Sequence, residues 1–592
     1  MNEDPQLKQA IQRAQNLLET RRRIISLPPE KALDCILEMH QPAALVHSFP
    51  EQDFYFFIYD IGLEDSLPLL QLASARQWDY ILDMEIWDKD RIKIQSVAQW
   101  FDLFLQADPD RLSKWLLYEK TEFIEFYLFK NIEVKIREHD QDPSSFGDDF
   151  FTYDDTYYIR FVDYPFDPET DRKTKEFRRF FLKKVLDRFA GVDHVRYQQI
   201  LHESLAVNPS EFEEEAYRLR NVRLAEKGFL PFDEAIGIYQ PLSDRQIKNS
   251  GKKYISNPYE WHNMPRPLLY PEKMMETDDY FAGSLKVIET DDLLHQIQTE
   301  FAGLCNQIIT ADQKKIRSCE ELRDVVKKAC GFLSIGLQRL IENSEKPDLS
   351  QGAELIRRFH LSDIFRAGYG VVSKVKRRAE NWLVQSWFMQ NELPLSFWDE
   401  EWLGVLGGLL VKKPLFFDNY KTGVLYREFA CPDDIDETER ILSSIIALDD
   451  LFSMMEIKLK PLSSGFMTYK NLLLTLWVKD YLDLPDKSEI PVSIDFGEFK
   501  RFFAELFPER SHTACSGSDE SDSMKPKPDN ISISMKESFL NWVSKKCGLD
   551  PFEITSKLGQ CLEDLFAEME SAYGQVLLKD LDPRYIQMFL LN

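Results

Sequence analysis

The chain has 592 residues, of which 44% are apolar and 13% aromatic, enough to form the cores of three or four folded domains. Its 100 acidic and 73 basic residues give a formal net charge of −27, which disfavours non-specific nucleic-acid binding unless basic residues gather on one face. Residues 1–15 lack the apolar core of a signal peptide and no apolar run reaches 18 residues, so we expect a cytoplasmic protein without a membrane span.

Four short helices are predicted near the N-terminus, at residues 29–37, 50–58, 63–71 and 74–82. Each has apolar residues three or four positions apart, which form one short stripe on a helix. Such a stripe cannot be buried by its own helix, so neighbouring helices must stack. The four helices begin 21, 13 and 11 residues apart, which is too uneven for a strict repeat. A degenerate helical superhelix is therefore predicted.

Most of the remaining chain is also predicted to be helical. Asx-Pro pairs, which favour helix starts, occur at residues 108, 208, 550 and 582. Aromatic and β-branched residues predict one hairpin within residues 150–162 and another within 415–429. The predicted fold class is therefore mainly α, a multi-layer, superhelix-like architecture with two small β-hairpins.

Changes in composition along the chain predict seven segments. Prolines at five positions between 241 and 290 indicate an irregular connection in which no helix is expected, and residues 511–530 have the composition of a disordered linker. The segments are a helical superhelix (1–137), an acidic segment with a hairpin (138–171), a helical region with a basic helix (172–240), the irregular connection (241–290), a helical domain with a small hairpin (291–510), the linker (511–530) and a C-terminal helical segment (531–592).

Opposite charges occur in adjacent blocks. Eleven acidic residues lie within 138–171, and eight basic residues lie within 172–188. The candidate partner-binding residues share one face of the basic helix: Arg172, Lys175, Arg179 and Lys183. They could bind an acidic partner that the acidic hairpin masks, or the two blocks could neutralise each other within the fold.

Patterns typical of catalysis or metal binding are incomplete. Ser373-x-x-Lys376, Asn419 and Lys421-Thr422-Gly423 resemble elements of penicillin-recognising hydrolases, but the last two lie too close together in the chain. Gly368-Tyr369-Gly370 begins a glycine-rich pattern without a preceding strand, so Gly368 is predicted to end a helix instead.

Two acid–histidine pairs could each share one side of a helix, namely Asp292 with His295 and His360 with Asp363. Two ligands are too few for a site, and the acidic run that starts at Asp140 lacks the glycine and glutamate of a calcium-binding EF-hand loop. The sequence therefore predicts no catalytic residue and no cofactor, and it leaves metal binding open.

Several phrases resemble a bacterial family known as domain of unknown function 6178. They are LPPEKALDCIL, RLAEKGFLPFDEAIGIY, LSIGLQRL, FRAGY and LDPRYIQMFLLN, and together they span nearly the whole chain. These are packing motifs, so the resemblance implies a shared fold and no particular reaction. Residues 27–110 also resemble, more weakly, the helical cytosolic N-terminal domain of magnesium transporters.

The function is unknown from the sequence, and the expected class is a scaffold or regulatory protein-interaction protein with an unidentified protein partner. The alternatives are an enzyme of unrecognised type and a regulator that responds to divalent cations. A deep cavity that gathers three or more charged side chains from distant segments would favour an enzyme, whereas a broad groove with exposed aromatic residues would favour a binding protein. Partner identity and oligomeric state are left open.

Overall fold

The computed structural model describes residues 5–162, 172–248, 253, 279–288, 291–341, 348–457, 467–484, 493–508 and 531–591. The chain divides into two compact units, Met1–Ala367 and Gly368–Asn592. Most of the described residues lie in helices, and the strands are short and antiparallel, which confirms the mainly α fold class. The predicted linker 511–530 lies outside the described residues.

The first part of the N-terminal unit consists of short helices. They are α1 (Pro5–Ser26), α2 (Pro29–Leu37), α3 (Pro42–Val46), α4 (Glu51–Ile61), α5 (Leu67–Leu72), α6 (Ala75–Glu85), α7 (Ile94–Ala107), α8 (Pro109–Lys114), a π-helix (Trp115–Glu119) and α9 (Thr121–Phe129). Helix α3 was not predicted, because its five residues are too few to show a helical period.

These helices stack in two rows, as the short apolar stripes require. Helix α4 contacts α2 and α6, while α5 contacts α3 and α7. Trp78 joins the rows: its ring stacks on that of Phe104 at 4.4 Å, and its indole N–H donates to the carbonyl of Leu70 at 3.0 Å. Helices α4 and α5 therefore each pack against the helices two positions before and after them in the chain, and these contacts bury the apolar stripes.

The N-terminal unit also contains two small sheets. Strands β1 (Trp87–Asp88) and β2 (Arg91–Ile92) form a hairpin that was not predicted. Strands β3 (Ile132–Ile136), β4 (Phe151–Thr152) and β5 (Tyr157–Phe161) form a sheet in the order β3–β5–β4. The predicted hairpin is present, but it is part of a three-stranded sheet because β3 pairs with the full length of β5.

The other described helices of this unit range from 4 to 25 residues in length. They are α10 (Arg172–Val192), α11 (His194–Ser204), α12 (Pro209–Ala225), α13 (Phe232–Ala235), α14 (Asp244–Lys248), α15 (Tyr280–Lys286), α16 (Asp291–Asp312), α17 (Cys319–Leu340), α18 (Leu349–Arg358) and α19 (Leu361–Gln385). The division between the two units falls within α19.

The expectation that no helix occurs within 241–290 was wrong at both ends of that segment. Helix α14 occupies residues 244–248, and α15 occupies 280–286. The Asp279 carboxylate accepts a hydrogen bond from the N–H of Ala282 at 2.8 Å, so a side-chain cap starts α15 despite the nearby prolines. Residues 249–252 and 254–278 lie outside the described residues.

The described part of the C-terminal unit contains helices and one hairpin. Its helices are α20 (Trp387–Gln390), α21 (Asp399–Leu410), α22 (Pro432–Met454), α23 (Tyr469–Tyr481), α24 (Phe496–Leu506), α25 (Ile533–Cys547) and α26 (Pro551–Tyr573). Strands β6 (Phe416–Phe417) and β7 (Tyr426–Arg427) form the predicted hairpin. Within the described residues, no helix is both long and apolar enough to cross a membrane.

A buried carboxylate organises the start of α20. Asp449 accepts hydrogen bonds from the backbone N–H groups of Trp387 and Phe388 at 3.0 and 2.9 Å. It also accepts one from the indole of Trp382 at 3.1 Å. Burial raises the pKa of Asp449, and these three donors oppose that rise. Its oxygens stabilise N–H groups that burial would otherwise leave without an acceptor.

Candidate functional site

The predicted partner-binding residues lie on helix α10. The helical period predicts one apolar face of Phe177, Phe181, Val185 and Phe189. The last three are buried, whereas Phe177 is 36% exposed. Arg179 and Lys183 are exposed on the other side of the helix, while the side chains of Arg172 and Lys175 lie outside the described part of the chain. The structure therefore places two of the four basic side chains on the solvent side of this helix.

The acidic hairpin has its own hydrogen-bond partners. Asp154 accepts from the backbone N–H groups of Thr156 and Tyr157 at 3.0 and 2.8 Å, and from the Gln198 amide at 2.9 Å. Asp155 pairs with Arg137. The pKa of Asp154 is lowered because these hydrogen bonds outweigh its burial. The hairpin contacts α10 through a backbone group, since the Tyr153 hydroxyl donates to the carbonyl of Lys183 at 3.3 Å.

The hydrolase-like pattern forms ordinary structural contacts. The Lys376 ammonium donates to the backbone carbonyls of Val411 and Lys412, at 2.5 and 2.9 Å. Thr422 donates from both its N–H and its hydroxyl to Asp418, at 2.6 and 2.9 Å, within the turn that joins β6 to β7. The prediction that Gly368 ends a helix was wrong, because α19 continues through it to Gln385.

The histidine pairs do not form a metal site in the described residues. His360 lies 3.2 Å from the Glu300 carboxylate, and Asp363 lies 3.7 Å from Arg366. The side chains of Asp292 and His295 are outside the described residues. Across the described part of the chain, no three His, Cys, Asp or Glu side chains are grouped so that they could hold a metal ion.

A large cavity lies elsewhere in the N-terminal unit. Its volume is about 950 Å³, within the range of ligand-binding cavities. The lining comes from residues 79–87, Phe101, residues 115–125 and residues 207–223, and the last segment is distant in sequence from the others. This cavity, called the acidic cavity below, has the feature that the sequence analysis associated with an enzyme, since it gathers charged side chains from separate segments.

The walls of the acidic cavity combine an unusual helix with aromatic rings. The π-helix contributes Trp115, Tyr118 and Glu119, and the N–H of Lys120 donates to the carbonyl of Trp115 at 2.8 Å. Short π-helical turns occur frequently at functional sites. The lining residue Phe212 of α12 stacks on Phe126 of α9 with ring centroids 4.6 Å apart. The indole N–H of Trp115 is buried and has no acceptor among the described residues.

The lining of the acidic cavity carries a large excess of negative charge. Its three basic side chains each pair with an acidic side chain of the same cavity, in the pairs Lys120–Asp79, Arg218–Glu215 and Arg223–Asp83. Four more acidic side chains are exposed and have no ion-pair partner within the described residues: Glu119, Glu122, Glu211 and Glu214. The fold therefore leaves most of the cavity's negative charge without a counter-charge.

Glu125 differs from the other acids because it is buried. It is 8% exposed, and its Oε1 atom has no hydrogen-bond donor within the described residues. Burial raises its pKa to about 8, and the neighbouring carboxylate of Glu203 adds to the rise both by a shared hydrogen bond and by repulsion. Glu122 raises it further, whereas Arg196 lowers it. Burial of Glu125 beside Glu203 therefore favours a proton shared by the two carboxyl groups over two negative charges.

Sequence reasoning missed this cavity, although a signal was present. Glu119, Glu122 and Glu125 are spaced three residues apart, and Glu211 and Glu214 repeat that spacing on another helix. Such spacing places acids on one side of each helix, but it does not show that the two sides face the same cavity.

Comparison with known proteins identifies one family. A family described as a family of unknown function, DUF6178, matches residues 9–592. No curated protein and no solved structure matches the chain.

Proposed function

This chain belongs to the DUF6178 family, a family of unknown function, and we propose that it is an interaction protein whose acidic cavity receives a basic segment of a partner protein. The observation that carries the proposal is the set of four exposed acidic side chains that the fold leaves without a counter-charge. A cavity lined mainly by one sign of charge concentrates ligands of the opposite sign.

The aromatic lining supports the same class of ligand. Trp87, Trp115 and Tyr118 line the cavity with the carboxylates. Lysine and arginine side chains have an apolar stem and a cationic end, so aromatic faces can bind the stem and the charge together. Within the cavity, the Lys120 ammonium already lies 5.4 Å from the ring centre of Trp115. A basic peptide segment would find both kinds of contact.

Fluorescence anisotropy with a labelled octapeptide of lysine and arginine tests the proposal. The wild-type protein should bind the peptide, and affinity should fall at least about tenfold in the double variant Glu211→Gln, Glu214→Gln, because two unpaired carboxylates are lost. The matched control is Glu226→Gln, Glu234→Gln, which removes two exposed acids outside the cavity lining. Equal affinities for the two double variants would show that only net charge matters and would overturn the proposal.

The raised pKa of Glu125 supports a second candidate function, an enzyme in which a protonated carboxyl group takes part in the reaction. A carboxyl group with a pKa near the working pH can serve as a general acid. Spermidine, a small polycation, separates the two candidates because it fits the cavity without being a peptide. Chemical turnover of bound spermidine by the wild type, with loss of turnover but not of binding in Glu125→Gln, would favour the enzyme.

The basic face of α10 remains a separate proposal for an acidic partner. Besides Arg172, Lys175, Arg179 and Lys183, this helix has two partly exposed aromatic side chains, Phe177 at 36% and Phe180 at 60%. Aromatic residues and arginine are enriched in protein interfaces. Pull-down of an acidic peptide library by the wild type and by the fourfold Glu variant tests this surface.

A further inference from the structure

A second cavity lies in the N-terminal unit, on the other side of α12 from the acidic cavity. Its volume is about 370 Å³, and its lining comes from the β1–β2 hairpin, α12, residues 229–232 and the end of α16. Tyr217, Arg220 and Leu224 of α12 line this second cavity, whereas Glu211, Glu215 and Leu219 line the acidic cavity. A helical period of 3.6 residues puts the two sets on opposite faces of one helix.

The second cavity has the opposite sign of charge. Its lining includes one acidic residue, Asp88, and four basic residues: Lys89, Arg220, Lys314 and Lys315. This cavity, called the basic cavity below, lies in a chain whose net charge is −27. It is a local gathering of basic residues of the kind that phosphate binding requires in an acidic protein.

Two tight turns bring the lysines to the basic cavity. Lys89 lies in the turn of the β1–β2 hairpin, with a φ of 57°. At the end of α16, Gln313 has a φ of 53°, and the N–H of Lys314 donates to the carbonyl of Ile309 at 3.2 Å. Helices commonly end with this left-handed residue and backbone hydrogen bond. The chain direction after it places Lys314 and Lys315 in the lining of the cavity.

The fold neutralises the positive charge of the basic cavity only in part. The Asp83 carboxylate acts on Arg220, and the carboxylates of Glu85 and Asp88 act on Lys315. The Nε of Arg220 donates to the backbone carbonyl of Asp83 at 2.7 Å, and the Nζ of Lys315 to that of Glu85 at 3.4 Å. Burial lowers the pKa of both cations. Lys89 and Lys314 have no carboxylate partner within the described residues. An anion in this cavity would therefore meet cations that lack a counter-charge.

Aromatic residues line the basic cavity beside its cations. The Arg220 guanidinium lies 5.6 Å from the ring centre of Trp87 and 6.0 Å from that of Tyr217. Phe229 and Phe232 complete an apolar wall. A ligand that fits must combine an anionic group with a flat, apolar body.

We propose that the basic cavity binds a small phosphomonoester that carries an aromatic group. A phosphomonoester has a charge of about −1.5 to −2 at neutral pH, which matches several cations better than one carboxylate does. Its phosphate oxygens contact Lys89, Lys314 and Lys315, and its ring packs against Trp87 and Phe232. The volume limits the ligand to one ring system of moderate size, such as that of a nucleoside monophosphate or an aryl phosphate.

Isothermal titration calorimetry with phenyl phosphate tests the proposal on the full-length protein. The wild type should bind phenyl phosphate more tightly than inorganic phosphate, because the ring adds aromatic contacts. Lys89→Gln with Lys314→Gln should weaken phenyl phosphate binding at least about tenfold, since each removed charge would donate a charge-assisted hydrogen bond. Adenosine 5′-monophosphate as a second ligand shows whether a nucleotide is accepted.

The matched control replaces two exposed lysines of the same unit that lie outside both cavities, Lys31→Gln with Lys114→Gln. It should bind phenyl phosphate as the wild type does. Equal binding in both double variants, or phenyl phosphate binding no tighter than inorganic phosphate, would overturn the proposal. A third result would also overturn the proposal. If a single-stranded oligonucleotide bound more tightly than either small ligand, and the double variant Lys89→Gln, Lys314→Gln lost that binding, the ligand of the cavity would be a polynucleotide.

Discussion

Trp87 packs against Tyr217 with ring centroids 5.7 Å apart, and Trp87 lines both the acidic and the basic cavity. Tyr217 belongs to α12, the helix that carries acids towards one cavity and Arg220 towards the other. The two cavities therefore share one aromatic residue and one helix, although their charges are opposite. A substitution at Trp87 therefore alters the lining of both cavities.

Replacement of Trp87 should weaken binding in both cavities. Trp87→Leu removes the aromatic contact with Tyr217 and with the Arg220 guanidinium, and each such contact is worth about 0.5–1.5 kcal/mol. We expect the affinities for the basic octapeptide and for phenyl phosphate both to fall about two- to tenfold, as measured by anisotropy and calorimetry. Phe232→Leu should affect phenyl phosphate alone and Phe123→Leu the peptide alone, because each of these residues lines one cavity.

Glu125→Gln should change how stability depends on pH. The folded state binds one more proton than the unfolded state between the unfolded pKa of about 4.3 and the folded pKa of about 8. The wild-type free energy of unfolding therefore falls as pH rises through this interval, and the stability from the protonated form is lost above pH 8. The glutamine side chain of the variant stays neutral at every pH, so the variant should melt at least about 2 °C higher than the wild type at pH 9.

Thermal scans from pH 5 to pH 9 measure this difference. Glu214→Gln is the control, since it removes an exposed acid of the same cavity that does not contribute to the pKa shift of Glu125. If the melting temperatures of the wild type and Glu125→Gln ran parallel over this range, Glu125 would not hold a proton in the folded protein.

The elements that could be predicted from the sequence are those whose pattern is local. The helices around Trp78 follow from apolar residues three and four positions apart. Strand β3 has a strand-like alternation at Ile132, Val134 and Ile136, but its strand character depends on pairing with β5, more than 20 residues away. Helix α15 was missed because the prolines of the segment outweighed the single capping residue Asp279.

The candidate site could be predicted only in part. The helix with the basic residues was predicted because its charges are contiguous in sequence, and partner binding by those residues stays a prediction. Neither cavity was found, since each is lined by segments more than 80 residues apart along the chain. The hairpin turn at Lys89 and the helix end at Gln313 show this clearly, because each is an ordinary turn that becomes a candidate site residue only through tertiary packing.

Charge reversal on α10 should leave stability nearly unchanged. Arg179 and Lys183 are exposed. The contacts described above for Asp154 and Asp155 are made within the hairpin and with Arg137 and Gln198, so they do not involve these two cations. Exposed ion pairs are worth about 0 to 1 kcal/mol each, so Arg179→Glu with Lys183→Glu should lower the melting temperature by less than about 3 °C. A drop of many degrees would show that these charges hold the acidic hairpin within the fold.

Asp449→Ala should strongly destabilise the C-terminal unit. It leaves two backbone N–H groups and one indole N–H without an acceptor, and each buried unsatisfied group costs about 1–3 kcal/mol. We expect a loss of about 2–5 kcal/mol in urea unfolding. The neighbouring exposed residue provides the control, and Asp450→Ala should stay within about 0.5 kcal/mol of the wild type.

Two glycines inside helices of the N-terminal unit should respond to alanine with opposite signs. A Cβ atom at Gly336 of α17 would overlap the backbone carbonyl oxygen of Ile364, which cannot move aside as a flexible side chain could. A Cβ atom at Gly303 of α16 would meet no atom within 4 Å. Gly336→Ala should therefore destabilise by about 1–3 kcal/mol through overpacking, whereas Gly303→Ala should stabilise by about 0.5–1 kcal/mol through helix propensity. Equal shifts in the two unfolding midpoints would contradict the close approach of α17 to Ile364.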